Sequence, residues 1–218
     1  MKHLFLVAVV IQIFQSQFCY GQYDWKEGLI IHNNGDTVHG YIDERIAQTN
    51  QIACFFKKGI DGEIKKYSPF QILGYRFSGG KYYVSKTIKF PEKEDSIFLE
   101  FLVKGKISIY HYIGVGERYF IEKDGQMTEL ENSEINIRVG DRDYTRKKNE
   151  YIGTLNILLQ DAYIPNEIQK TRYQSESLIK LAKTYNEKMC PDEKCITYEK
   201  KKEIAKFDFG FTLGTSNT

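Results

Sequence analysis

The stretch Lys81–Glu131, KYYVSKTIKFPEKEDSIFLEFLVKGKISIYHYIGVGERYFIEKDGQMTELE, decides how the chain folds. Tyr, Phe, Ile and Val crowd it, and these residues fit a pleated, half-buried surface. It divides into strand-length pieces at Lys81–Phe90, Ser96–Val103, Lys106–Tyr112, Arg118–Lys123 and Gln126–Glu131. Lys104-Gly105 and Asp124-Gly125 each fit a two-residue hairpin loop, where glycine takes a positive φ without a Cβ clash. Gly114-Val115-Gly116 separates two strands and opens no helix, so it reads as a turn and not as a nucleotide loop. The expectation is an antiparallel sheet of successive hairpins.

The pattern inside these strands says which are central. Ile97, Leu99, Phe101 and Val103 share one parity, and Phe98 and Leu102 the other. A strand apolar on both faces is covered on both sides. Its partner, Lys106–Tyr112, places Ile107, Ile109 and His111 on one face and Ser108, Tyr110 and Tyr112 on the other. His111 therefore reads as a hydrogen-bonded core histidine. A catalytic base would need a nucleophile that the sequence does not supply. In the last hairpin the Asp124-Gly125 loop sets Arg118 opposite Glu131, an exposed pair worth ~0.2–1 kcal/mol.

Toward the N-terminus, Leu29–Asn33 and Asp36–Asp43 flank Asn34-Gly35, a strong hairpin signal. With that dipeptide as the loop, His32 faces Thr37 and Ile30 faces His39. His32 and His39 then share a face as diagonal neighbours, roughly 7–8 Å apart. Two imidazoles so placed can begin a metal site, although no third ligand is evident. The other reading is a half-exposed polar face. Ile46–Gln51 reads as a polar turn, and Ile52–Lys57 with Ile64–Tyr67 as a strand pair. Pro69 breaks the run and Phe70–Phe77 resumes it. Ser78-Gly79-Gly80-Lys81 lacks the spacing and following helix of a phosphate loop and reads as a turn.

Toward the C-terminus, Arg138–Asn149 carries Arg142, Arg146, Lys147 and Lys148, and reads as a solvated linker or as a docking patch. Ile152, Leu155, Leu158, Leu159, Ala162 and Tyr163 then recur at helical spacing, with Asn149 as cap and Pro165 as stop. A second helix runs along Leu178, Leu181, Ala182, Tyr185 and Met189. Ser175 or Ser177 is its expected cap, and Cys190-Pro191 its end. Two such helices can cover the open face of the sheet. The fold class is thus α+β: an antiparallel sheet of hairpins in the N-terminal two thirds, followed by two C-terminal amphipathic helices.

The chain has 218 residues, 41% hydrophobic and 28% charged, enough for one domain with a core plus appendages. A net charge of +2 makes no electrostatic case for nucleic acid, which needs a concentrated basic face. Met1–Gly21 reads as a signal peptide: Lys2 and His3 are followed by the apolar run Leu4–Phe14, too short to span a bilayer. Cleavage is expected before Gln22; Cys19 leaves lipidation open as the alternative. Export leaves Cys54, Cys190 and Cys195 in an oxidising compartment. Cys54 reads as a buried thiol. Cys190 and Cys195 can close a local disulfide, while zinc would need two further ligands that are not nearby.

The expected organisation is a signal peptide at 1–21, an extracytoplasmic α+β domain at 22–196, a charged linker at 197–206 and a barrel-like strand at 207–218. In the last segment Phe207, Phe209, Phe211 and Leu213 alternate with Asp208, Gly210 and Thr212. That period is how a transmembrane β-barrel strand reads. A terminal edge strand of the soluble domain is the alternative.

The chain after Gly21 resembles the N-terminal soluble region of a family of porin-like Gram-negative outer-membrane β-barrel proteins. The matching stretches are Ile31–Asp43 (IHNNGDTVHGYID), Lys81–Lys86 (KYYVSK), Phe120–Gly125 (FIEKDG) and Ser177–Leu181 (SLIKL), and Lys206–Thr218 looks like that family's first barrel strand. The resemblance implies an exported, periplasmic or outer-membrane-associated domain whose partner is the membrane or a barrel in it. It brings no catalytic residues. The chain departs from the pattern by stopping where the barrel is expected to begin, as a truncated gene product or a fragment would. The functional expectation is a non-enzymatic extracytoplasmic binding or assembly domain, with no catalytic, cofactor or metal residues and no nucleic-acid partner. The rivals are a soluble secreted binding module without a barrel, and a hydrolase using His111 or the His32/His39 pair, for which no nucleophile elbow is present.

Overall fold

Pairing begins locally, at the hairpins that the glycine turns define. A computed structural model describes residues 23–192 and 196–198. Strands β1 (Trp25–Ile31), β2 (Thr37–Asp43), β3 (Cys54–Lys57), β4 (Lys65–Tyr67), β5 (Gly74–Phe77), β6 (Tyr82–Lys89), β7 (Glu94–Lys104), β8 (Ile107–Gly114), β9 (Gly116–Lys123) and β10 (Gln126–Leu130) belong to one sheet. Their order is β10-β9-β8-β7-β6-β5-β1-β2-β3-β4. A two-residue strand, Ile196–Thr197, also pairs with β7. The helices, in chain order, are α1 (Ala47–Ile52), α2 (Glu150–Leu158), α3 (Pro165–Gln169) and α4 (Ser175–Met189). The expected α+β class, rich in antiparallel hairpins, is what the chain forms.

The contacts divide into two compact units. In the unit built on residues 76–84 and 99 onward, Ile107, Ile109, Tyr119, Ile121 and Leu130 of β8–β10 pack against Leu155 of α2 and Leu178, Leu181, Ala182 and Tyr185 of α4. Burying each Ile and Leu among these contributes about 1.5–3 kcal/mol. The other face of the same strands is aromatic, with Phe101 stacked on Tyr110 at 4.6 Å and Tyr198 against Phe101 and Tyr82. Tyr198 is buried and its N–H donates to Leu102 O, so the packed body runs past Ile196 into the first residues expected as linker. All of Ile97–Val103 is buried, as the two-parity pattern required.

In the unit built on residues up to 75 and 85–98, Ile30, Ile42, Cys54, Phe56, Ile72 and Tyr75 are buried. Tyr75 meets Phe98 edge-on at 5.1 Å and donates its hydroxyl to Asn50 O. Cys54 is 1% exposed, and burial pushes its thiol far above the ordinary value, which makes it inert. Ile46–Gln51 is not the turn expected: most of it forms α1, which buries Asn50 and Gln51.

Several local expectations change in register or cap. The Asp124-Gly125 loop stands as read, with both residues at positive φ. The β7–β8 loop is Gly105-Lys106, one residue later than expected, because β7 carries a bulge between Phe101 and Val103. Gly105 is required there by a close approach. A Cβ on it would lie 2.1 Å from the Asn186 side chain, whose amide accepts from Ile107 N and donates to Ile107 O. Arg118 pairs with Glu129 instead of Glu131, since β10 ends at Leu130 and the diagonal carboxylate accepts from Arg118 Nε and Nη2 at 2.6 and 2.5 Å.

Asn149 stands before α2 at φ 56 with no side-chain cap bond. Pro165 opens α3 instead of stopping a helix, the position where its missing N–H costs nothing. The residue before α4 is Gln174, and Ser177 Oγ instead accepts from Arg172 N.

Candidate functional site

The histidine singled out in the sequence sits in a row of three side chains that the sheet register creates. Glu100 of β7 is opposite His111 of β8, and His111 is opposite Tyr119 of β9. Residues directly opposite in adjacent strands share a face. Glu100 Oε2 is 3.5 Å from His111 Nδ1, and Glu117 Oε1 is 3.8 Å from His111 Nε2. Lys81, at the end of the Ser78-Gly79-Gly80 turn, reaches Glu100 Oε1 at 2.9 Å. Burial pushes the Glu100 carboxyl up, but donation from His111 and Lys81 outweighs it and holds the group below its ordinary value.

This arrangement is a clamp in form. His111 is 5% exposed, and its ring lies flat on Tyr119, centroids 4.6 Å apart and planes 8° from parallel. The Tyr119 hydroxyl is 3.2 Å from Ser175 Oγ at the start of α4 and 3.3 Å from Glu117. Burial and Glu117 push that phenol up to about 12. The phenol next to His111 thus meets it face to face, not end-on as a nucleophile would meet its base. The network ties three strands to the N-terminus of α4. Glu100 was not singled out from sequence. Its signal was there: a lone carboxylate inside IFLEFLV must find partners when both faces of the strand are covered.

The His32/His39 pair does not form. The observed register is Ile31↔Thr37, Ile30↔Val38 and Leu29↔His39. The loop is one residue longer than Asn34-Gly35, with Gly35 at φ 88 and its N–H donating to His32 O. One residue of slip turns His32 and His39 to opposite faces. Among the described residues no group of three or more His, Cys, Asp or Glu could hold a metal ion.

His32 instead lies beside a groove of about 410 Å3 floored by Ile30, Val38 and Phe56, with Lys58, Lys65 and Tyr67 at its rim. Gly40 makes room for the Phe56 ring: a Cβ there would come within 2.6 Å of it. A second cleft, about 350 Å3, opens beside Lys123, whose ammonium donates to Leu158 O and Asp161.

The basic segment 138–149 is no linker. Strands β11 (Glu134–Val139) and β12 (Arg142–Lys147) form a two-stranded ribbon outside the main sheet, turned at Gly140 with φ 63. Its base is held by Glu150, which accepts from both the backbone N–H and the hydroxyl of Ser133, and by Lys148 N donating to Ser133 O at 2.9 Å. The Ser133 hydroxyl keeps the Glu150 carboxyl below its usual range. Every residue of β12 is exposed, and Tyr144 is 50% exposed.

Cys190 ends α4 and is half-buried. Cys195, its expected disulfide partner, lies outside the described residues, as do the signal peptide and Phe207–Leu213. No family model, no curated protein and no solved structure matches the chain.

Proposed function

We propose that this chain is a non-enzymatic extracytoplasmic binding and assembly domain that works beside an outer-membrane β-barrel. The observation that supports it is the β11–β12 ribbon, a protruding element whose side chains find little cover within the domain. A lone two-stranded hairpin is marginally stable in water, so a partner that lies along it gains from doing so. The residues before Gln22 supply the export signal in this reading, and Phe207–Leu213 supplies the tether. His111 has a structural role: it holds Glu100, Tyr119 and the start of α4 in register. Cell fractionation tests the proposal. The expected product starts at Gln22 and sediments with the outer membrane; an uncleaved cytosolic product overturns it.

The second reading, a soluble secreted binding module, is favoured by the groove floored by Ile30, Val38 and Phe56. Its volume is at the small end of ligand sites, which run to ~300–1,000 Å3. The two readings separate on one measurement. Under the first reading the chain co-purifies with an outer-membrane β-barrel protein and loses it when β11–β12 is replaced by a short Gly-Ser turn; under the second no barrel co-purifies with either form.

A further inference from the structure

The two faces of the ribbon differ in a way that composition alone conceals. The register Ile135↔Arg146 and Ile137↔Tyr144 sorts the ribbon's side chains by face. One face carries Ile135, Ile137, Tyr144, Arg142 and Arg146. The other carries Glu134, Asn136, Arg138, Asp143, Thr145 and Lys147. The second face balances two cations with two carboxylates, as a solvated surface does. The first has two cations, three large apolar or aromatic groups and no carboxylate. Ile135 and Ile137 are half-buried while Tyr144 stands half out, so the apolar stripe is uncovered above the cross-strand contact. Neither Arg142 nor Arg146 has an ion-pair partner among the described residues.

We infer that this face lies on an anionic lipid surface, with Arg142 and Arg146 on phosphate oxygens and Tyr144 and the isoleucines at the headgroup boundary. The inference rests on the assembly reading above and names the surface it assembles on. Arginine pairs with phosphate through a planar fork of donors, and its stem can lie on apolar material while the head stays polar. Tyrosine settles at the interface for the same mixed reason. An acidic apolar protein segment would present the same signs of charge. The lipid surface is favoured because both cations share one face with Ile135, Ile137 and Tyr144 and no carboxylate, and neither cation has an ion-pair partner among the described residues. The Ser133–Glu150 clamp at the base fixes the ribbon to the start of α2 and so presents the face in one orientation.

The test is vesicle co-sedimentation of the full chain, on vesicles of neutral phosphatidylcholine and on vesicles with added phosphatidylglycerol. Binding is expected with the anionic vesicles and weakens as salt is raised, as screening requires. The variant Arg142→Gln with Arg146→Gln is expected to bind about 30-fold more weakly, since each surface cation contributes about a fivefold attraction. The variant Arg138→Gln with Lys147→Gln removes the same charge from the other face and is expected to lose several-fold less. Ile137→Ser is expected to weaken binding at every salt concentration. Equal losses from the two charge variants, or equal binding to neutral vesicles, overturn the inference. A chain that ignores vesicles yet co-purifies with detergent-solubilised outer-membrane protein through the ribbon also overturns it, while leaving the assembly reading intact. A chain that does neither removes both.

Discussion

The hairpins β7–β10 and the ribbon β11–β12 are built from the same parts and end in different surroundings. Both pair antiparallel, and both turn at a glycine. The first set is covered by α2 and α4, and Ile107, Ile109 and Ile121 in it are close to fully buried. In the second, every side chain of β12 is exposed. The difference lies in the apolar surface that the helices bring to each. Leu155, Leu178, Leu181 and Tyr185 supply enough of it to cover Ile107, Ile109 and Ile121. Strand pairing alone therefore leaves a surface, and packing turns it into a core.

The sharpest break in this comparison is at its covered end. Ile121→Ala removes a fully buried side chain from between β9 and the helices, and should lower stability by about 2–5 kcal/mol in urea denaturation. A loss under about 1 kcal/mol would mean that this is not the main core. Asn186→Ala should cost about 1–3 kcal/mol, because it strands both the N–H and the C=O of Ile107 beneath α4. If Gly105→Ala is restored by adding Asn186→Ala, the close approach is the reason for the glycine.

The Glu100 clamp sharpens the comparison through pH. Its folded carboxyl is held below the ordinary 4.5. Its contribution is therefore fully present above that value and is lost as pH falls through the lower folded value. Glu100→Gln should flatten the acid side of the stability profile, read as the urea midpoint against pH. An unchanged acid limb would show that Lys81 and His111 do not stabilise the ionised form. The smallest effect is expected on the ribbon. Ile137→Ser should shift stability by about 1 kcal/mol or less, because the side chain is only half-buried, while weakening vesicle binding.

How far the sequence was legible depended on distance along the chain. Asp124-Gly125 named both its turn and its register, since the loop is a complete two-residue hairpin with both residues left-handed. Asn34-Gly35 named the turn but missed the register, because Asn33 also joins the loop and His32 pairs toward Asp36. That single residue separated the two histidines that the sequence had placed on one face. The segment around Arg142 and Arg146 looked like a linker because its charges hide the alternation of Ile135, Ile137 and Tyr144 across two strands. The polar row Glu100–His111–Tyr119 was half legible: parity placed His111 in the core, but nothing local named the strand that would bring a carboxylate to it.

By itself the sequence determined the α+β class, the run of hairpins, the burial of β7 on both faces and the apolar stripe of α4. Each is a matter of neighbours two to four residues apart, where backbone periodicity dictates which side chains share a face. Only the tertiary structure decided that Asn186 bonds the β7–β8 turn from 79 residues away, that Lys81 and His111 converge on Glu100, and that the ribbon stays outside the sheet. Those contacts join segments far apart in the chain, and their free energy exists only once strands and helices have packed and water has left between them.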